Sequence, residues 1–514
     1  MTDTTMNHHE YSKDCFFSSL ADIKDKKITI MGLGLNGGGE ASARFFAKHG
    51  AYLTITDMKT EDQLRSTLDA LEKDPEIDQS RIRYVLGTHE IGDFSEADVV
   101  IKNPGVKFDN NIYLAAAKHI ETDISIFLRF TKAPIIAVTG SKGKSSTVSA
   151  IHYGLTQAGY TSFLGGNITV SPLTFLDKTT QDTPVVLELS SWQLSDLRGR
   201  KVLKPKICIL TKIVPDHQNW YGSMDAYVAD KKLIYADQDS SDITICAAHD
   251  QWGDVFAKET KGTVIRYAQK PFSALSEKGA WIDNECLGWS SVPAHHSICN
   301  LYNLTGTELL KKTSEPEIIL RDLIVPGQHM RENVLNAALI LHILGTKPLN
   351  IQNIMKGFPG IPHRLEFFHS WNINQNKKIL FYNDSAATVP EAAAAALGSF
   401  EKPVHLICGG TDKVLDFIPL AQCAGKACSI HLLAGTGTEK LIPMLKAKSI
   451  SYEGPYSSLK DLLLNLKRYL SVHSDNYNQE EIAVLSPGAT SFGMFMNEFD
   501  RGNSFKRAVT DLFC

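Results

Sequence analysis

The 514 residues predict an α/β protein of three domains in series: N-terminal Rossmann-like, central P-loop-type mononucleotide-binding, and C-terminal Rossmann-like. Three observations lead there. The length exceeds what a single hydrophobic core supports and gives roughly three domains at about 150 residues each. From Lys27 onward, strand-like apolar runs alternate with helix-like segments, the pattern of parallel sheets joined by right-handed crossovers. Two of those strands run directly into glycine-rich turns, at 32–37 and 140–143.

The first domain, 1–131, opens with a polar stretch whose first 25 residues read as a loose tail. Strand K-I-T-I-M follows, then the turn G-L-G-L-N-G-G-G, the helix E-A-S-A-R-F-F-A-K-H-G and the strand A-Y-L-T-I-T-D. Residues 98–105 read as a later strand ending in a loop. The second domain, 132–360, starts with the apolar run Ala133–Ala137, turns through T-G-S-K-G-K-S-S and continues as a helix from Ser146 to Ala158, closed by Gly159. Strands V-V-L-E-L-S-S and I-C-I-L-T come next, then a β-richer stretch at 240–325. The third domain, 361–514, alternates again: K-I-L-F-Y-N-D-S, an alanine-rich helix at 390–398, P-V-H-L-I-C-G-G, S-I-H-L-L-A-G-T and I-A-V-L-S-P-G-A.

Bulk properties exclude several classes. A net charge of -4 supplies no broad basic field, so nucleic acid is not an expected partner. The nine cysteines form no C-x-x-C pair, which argues against a disulfide scaffold and a zinc site and fits a reducing cytoplasm. The acid-containing N-terminus is not a secretory signal, and no apolar run approaches the ~20 residues of a membrane span.

The two glycine turns carry chemistry. Gly32 to Gly37 fits G-x-G-x-x-G after a strand, and Asp57 ends the next strand where an acid meets a ribose hydroxyl. That chemistry serves NAD or another diphosphate such as a UDP-sugar; a plain tight turn in an open sheet is the bland alternative. The second turn is the shorter T-G-x-x-G-K-S form, with Val138 where the full P-loop pattern has glycine. Backbone N–H groups of Gly140, Ser141, Lys142, Gly143, Lys144, Ser145 and Ser146 surround one concavity, Lys144 adds a cation and Ser145 a Mg²⁺ ligand. A dehydrogenase has no use for such a loop one domain downstream. Glu188 ends an apolar strand, where parallel-sheet sites lie, and suits a hard cation.

A wider set of motifs resembles the Mur ligases in order and spacing from about Lys27 onward: T-G-S-K-G-K-S-S, G-G-N-I, L-E-L-S-S-W-Q-L, D-H (216–217), Y-V-A-D-K-K-L-I-Y, G-Q-H, P-H-R-L-E, N-D-S-A-A-T and S-P-G-A-T-S-F. The resemblance implies an ATP- and Mg²⁺-dependent ligase joining D-glutamate to UDP-N-acetylmuramoyl-L-alanine through an acyl phosphate; the chain is expected to be a cytoplasmic monomer. It sets Leu35, Asn36, Asp57 and Lys59 at the uridine diphosphate and Asn167 along the sugar arm. His217 becomes a neighbour of the metal. Lys231, followed by Lys232 and flanked by Tyr227 and Tyr235, becomes a carbamate that holds a second metal. Arg364 and Asp384 match nucleotide-contacting positions, and Thr388, Lys413 and Ser491 match positions gripping the amino-acid carboxylates. The chain departs from the family pattern at Met330, where an asparagine is usual, and at Ala386, where a lysine is usual. It also departs at Gly493 and Glu498, where an aspartate and a phenylalanine are usual. A Mur-type ligase of another amino acid, such as L-glutamate, a non-catalytic nucleotide-binding regulator and an NAD-binding dehydrogenase are the rival readings.

Overall fold

A computed structural model describes residues 9–35, 37–168, 170–272, 278–293, 315–473 and 480–514. The chain divides into two compact units, one of residues up to 321 with 333–354, the other of 322–332 with 355–514. Three sheets of mostly parallel strands are present among the described residues.

The first unit holds two of them. Strands β1 (Lys27–Met31), β2 (Tyr52–Asp57), β3 (Ile82–Leu86), β4 (Val99–Lys102) and β5 (Ile120–Glu121) pair in the order β3-β2-β1-β4-β5, all parallel. The order reverses between β1 and β4, so a crevice opens at their C-terminal ends. The second sheet is built from β6 (Ile135–Thr139), β7 (Phe163–Gly166), β8 (Val185–Glu188), β9 (Ile207–Leu210), β10 (Ile243–Ala247), β11 (Thr263–Ala268), β12 (Gly279–Ile282), β13 (Gly288–Ser290) and β14 (Glu317–Leu320). Its order is β14-β13-β12-β11-β10-β9-β6-β8-β7, which puts β6 between β8 and β9. Only β12, β13 and β14 pair antiparallel, which accounts for the β-rich character of 240–325; residues 273–277 and 294–314 of that stretch lie outside the described residues. Val185 to Leu187 and Ile207 to Leu210 are buried on both faces, as near-continuous apolar runs in a covered parallel sheet must be. One apolar cluster runs through both sheets, from Ile28 and Phe46 to Leu187 and Tyr227.

The helix after the phosphate turn spans Lys144–Gln157, two residues earlier than its apolar pattern suggests. Gly143, left-handed at φ +91°, ends the turn and lets the helix start at the lysine. The N-terminal stretch also differs from its reading as a tail, for residues 9–25 pack down. Tyr11 N donates to Arg198 O at 3.0 Å and its hydroxyl to Asp196 Oδ1 at 3.2 Å. Phe17 and Ile23 are buried beneath the first sheet's helices. Polar composition hid them, because two large apolar side chains spaced among hydroxyls and acids leave no periodicity.

The second unit's sheet runs β15 (Glu366–Asn372), β16 (Lys378–Asn383), β20 (Glu480–Leu485), β17 (Val404–Gly409), β18 (Ser429–Leu433) and β19 (Glu453–Tyr456) in spatial order, with β15 alone antiparallel. Apolar clusters cover its two faces. The alanine-rich helix is Pro390–Leu397. Among the described residues no helix is long and apolar enough to cross a membrane.

At the N-terminal edge of this sheet, His405 bridges Ser429 Oγ (2.7 Å) and Glu481 Oε2 (2.9 Å), and Ser429 Oγ also meets His431 Nε2 at 2.9 Å. Burial, helped by His405, pushes the His431 imidazole down to about 4. The unfolded chain therefore takes up a proton near pH 6.5 that the folded one refuses, so this contribution to stability is complete above about pH 6.5 and is lost as pH falls toward 4. Denaturant titrations of wild type and His431→Asn between pH 7.5 and 4.5 should show a shallower acid loss in the variant, by up to about 1.4 kcal/mol per pH unit. Parallel curves would remove His431 from the acid response.

Candidate active site

The first glycine turn is fixed by backbone approach. Gly32 and Gly34 sit at φ +93° and +62°. A Cβ on Gly39 would stand 2.3 Å from the carbonyl oxygens of both Gly32 and Leu33, so only glycine lets the helix Gly38–Lys48 close on the strand. Asp57, 6 % exposed at the end of β2, accepts from Gly34 N and Lys59 N, both at 2.9 Å, one on each carboxylate oxygen. Each oxygen keeps a further lone pair for a ligand hydroxyl. Leu35 and Lys59 are exposed at the rim; Asn36 lies outside the described residues.

These residues border a cleft of about 670 Å³ that continues from the first sheet to Asn167, Ser190 and Trp192 of the second. Its far wall includes Asn103, which packs on Gly32, and His89. Lys102, buried behind that wall, donates to Val106 O at 2.8 Å and pairs with Asp196 at 2.8 Å. Sequence reasoning missed these groups. A strand ending in Lys-Asn-Pro-Gly was visible; its facing residues were not.

The phosphate turn occupies the C-terminal end of β6. Thr211, at the end of β9, braces it: Thr211 Oγ1 donates to Thr139 O and Lys142 O at 3.1 and 2.8 Å and would lie 1.9 Å from a Cβ on Gly140. Ser141 Oγ is held by Val214 O (2.9 Å) and by the Tyr227 hydroxyl (3.0 Å). Asn333, buried in the helix Gln328–Ile343, lies against Gly143, 2.6 Å from where a Cβ would be. Met330, at the start of the same helix, is 6 % exposed. Lys144 Nζ folds back onto Gly140 O and Ser141 O at 3.0 and 3.1 Å. Burial lowers its pKa while the Glu188 and Asp216 carboxylates oppose the shift. Ser145 and Ser146 are half-buried in the helix's first turn, and Lys142 is exposed.

Glu188 ends β8, beside β6. It is 1 % exposed; Oε1 accepts from Asn167 Nδ2 at 2.9 Å, and Oε2 has no hydrogen-bond partner. An orphaned buried carboxylate oxygen next to a phosphate turn fits a cation. Among the described residues no three His, Cys, Asp or Glu side chains form a ready-made metal cluster. A magnesium-type ion binds few protein carboxylates and completes its shell with phosphate and water.

Lys231, 1 % exposed in the helix Met224–Lys232, donates to Gly140 O at 2.8 Å and lies 4.6 Å from the Tyr227 ring centre. Burial, then Lys144, pushes its amine down to about 7. Its neighbour Lys232 instead pairs with Glu259 at 2.8 Å near the surface. His217, left-handed at φ +51° and exposed, rests its ring 4.9 Å from that of Trp192.

In the second unit, Asp384 follows β16, accepts from Leu365 N (3.1 Å) and Ser486 Oγ (2.7 Å), and is pushed up to about 7 by burial. Arg364 and Lys413 are exposed, and Thr388 is half-buried in the turn after Asp384. Ser491 is buried in the wall of a separate crevice of about 290 Å³ at the C-terminal ends of β17 and β18, which Arg501 also borders.

Comparison with known proteins agrees with this layout. The profile described as Mur ligase middle domain matches residues 138–341, and that described as Mur ligase MurD-like, N-terminal domain, matches residues 26–125. The UDP-N-acetylmuramoylalanine--D-glutamate ligase of Treponema pallidum is 40 % identical, over 96 % of this chain and 98 % of its own. That of Borreliella burgdorferi is 38 % identical, over 96 % and 99 %. The fold is shared with MurC of Thermotoga maritima (TM-score 0.52, 17 % identity, 95 % and 99 % covered). MurF of Acinetobacter baumannii shares it too (TM-score 0.51, 12 % identity, 95 % and 93 % covered). The chain therefore belongs to the Mur ligase family, in its MurD-like branch, and is an ATP-dependent, amide-bond-forming ligase of peptidoglycan synthesis.

Proposed function

We propose that the chain joins D-glutamate to UDP-N-acetylmuramoyl-L-alanine, as the names of its MurD-like relatives describe for those proteins, in the cytoplasm and as a monomer. Residues 1–131 hold the UDP-sugar, 132–360 the ATP and 361–514 the amino acid. The observation that carries the reading is the meeting of phosphate turn, orphaned Glu188 oxygen and buried Lys231 amine at the C-terminal ends of β6 and β8, with the 670 Å³ cleft leading from Asp57 to Asn167 beside Glu188.

A carboxylate and an amine do not condense in water without activation. The substrate carboxylate oxygen attacks the γ-phosphorus of ATP and ADP leaves; the amine of D-glutamate then attacks the acyl carbon, loses a proton and expels phosphate. The turn's N–H groups and Lys144 neutralise the charge on the transferring phosphoryl group. Ser145, Glu188, His217 and carbamylated Lys231 would hold Mg²⁺, which supplies charge neutralisation at the phosphates. A lysine held near pH 7 supports carbamylation, because only the neutral amine adds to CO₂: an N–C bond forms and one proton is released. Leu35, Asn36, Asp57 and Lys59 take the uridine diphosphate. Arg364 and Asp384 take part of the nucleotide, and Thr388, Lys413 and Ser491 the amino-acid carboxylates.

Phosphate release that requires both UDP-N-acetylmuramoyl-L-alanine and an amino acid separates a ligase from a regulator or a dehydrogenase. In a panel of D- and L-amino acids scored by phosphate and product mass, D-glutamate should give the fastest turnover; a faster L-glutamate or neutral amino acid would sink the D-glutamate reading. Lys144→Ala should keep UDP-substrate affinity and lose turnover by a factor on the order of 10³, and near-normal turnover would take the loop lysine out of phosphoryl transfer. Lys231→Ala should be almost inactive, recover partly with a short added carboxylic acid, and lack a ¹³CO₂ carbamate signal that wild type shows. Lys232→Ala, removing only a pair near the surface, should be mild; a dead Lys232→Ala would reverse the assignment.

A further inference from the structure

Arg501 is 1 % exposed, in the first turn of the helix Glu498–Leu512. Its guanidinium donates from Nε to Ser385 Oγ (3.0 Å), from Nη1 to Ala489 O (3.0 Å) and from Nη2 to Ser385 O (2.8 Å). All three acceptors are neutral. Glu498 acts on it only through space. Two other deeply buried cations among the described residues, Lys102 and Arg200, behave differently: each holds a carboxylate, Asp196 and Glu121, at 2.8 Å. A buried cation without a counter-charge is costly, so its field calls for an explanation.

The guanidinium borders the 290 Å³ crevice, whose wall includes Gly410, Thr411, Ser491 and Gly493. Gly410 interposes no side chain; a Cβ there would lie 3.8 Å from Arg501 Nη1. The local charge count also departs from the family pattern. Ala386, where the family pattern sets a lysine, follows the Ser385 that Arg501 grips, and Gly493, where the pattern sets an aspartate, lies in the crevice wall. Glu498, where the pattern sets a phenylalanine, adds an anion that acts on Arg501 only through space, and no carboxylate bonds to the guanidinium.

We propose that Arg501 is a specificity-determining residue: its guanidinium, bonded to no carboxylate, gives the crevice a positive potential that selects a side-chain carboxylate on the incoming amino acid. The proposal rests on the D-glutamate reading above and adds the group that enforces it. Arg501 acts through its field and through the Ser385 and Ala489 loops it ties together.

The test compares D-glutamate with D-glutamine, which keeps the shape and removes the charge. Wild type should prefer D-glutamate; a wild type without that preference overturns the D-glutamate reading itself, before any variant is made. In Arg501→Met the D-glutamate to D-glutamine ratio of kcat/KM should fall on the order of 10-fold or more, through the KM for D-glutamate, with the KM values for ATP and the UDP-substrate unchanged. Arg501→Lys, which keeps the charge, should retain most of the preference. A merely structural arginine would lower both amino acids together and leave the ratio alone, and that result overturns the proposal. Should Arg501→Met fail to fold, Gly493→Asp decides, read against Gly493→Asn, which carries the same strain at φ +96°. The added anion should lower the ratio and the neutral isostere should not; equal ratios in the two overturn the proposal.

Discussion

Two lysine amines share one carbonyl oxygen. Lys144 and Lys231 both donate to Gly140 O, at 3.0 and 2.8 Å, and each amine disfavours the charge on the other. Burial, with Lys144 adding to it, draws Lys231 toward neutrality. The rest of the central site serves this arrangement. Gly140 must turn its carbonyl to both amines, hence φ +151° and no side chain under Thr211. Tyr227, one turn before Lys231, pins the turn through Ser141, and Glu188 faces the same region from β8 with an oxygen to spare. The strand order β9-β6-β8 is what lets Thr211, Gly140 and Glu188 arrive together.

Much of this was legible because its signals are local. A strand ending in glycines, an acid closing the next strand and a Gly-Lys-Ser start to a helix are set by backbone sterics over a few residues. The choice between Lys231 and Lys232 was framed by tyrosines four residues before and after the first; the buried lysine touches Tyr227, while Lys232 and Tyr235 both reach Glu259. What stayed hidden depends on partners far along the chain. Asn333 meets Gly143, Lys102 meets Asp196, and Arg501 meets Ser385. No periodicity encodes such meetings; the sheet order creates them.

Charge is handled in two ways within one molecule. In the first unit two buried cations are matched: Lys102 with Asp196 and Arg200 with Glu121 hold the first sheet's edge to the turn at 195–200, and removing one partner of such a pair typically costs about 3–5 kcal/mol. The second unit ties its N-terminal sheet edge with the His405, Ser429 and Glu481 network. It leaves Arg501 at the opposite, C-terminal edge hydrogen-bonded to neutral oxygens only. Rigidity is placed at one end of the strands and an unspent charge at the other.

The arm formed by residues 9–25 bears on how the protein can be handled. The MurD-like profile begins at residue 26, an inviting place to trim the chain or attach a tag. Yet Tyr11 caps Asp196, the Arg200 guanidinium lies 4.2 Å from the Tyr11 ring centre, and Phe17 covers Phe46. A protein cut at the profile's edge would expose an apolar floor under the first sheet and strip a hydroxyl from the carboxylate that steadies the cleft wall. The start of the matched profile and the start of the packed body do not coincide here; the packed arm reaches back at least to Tyr11.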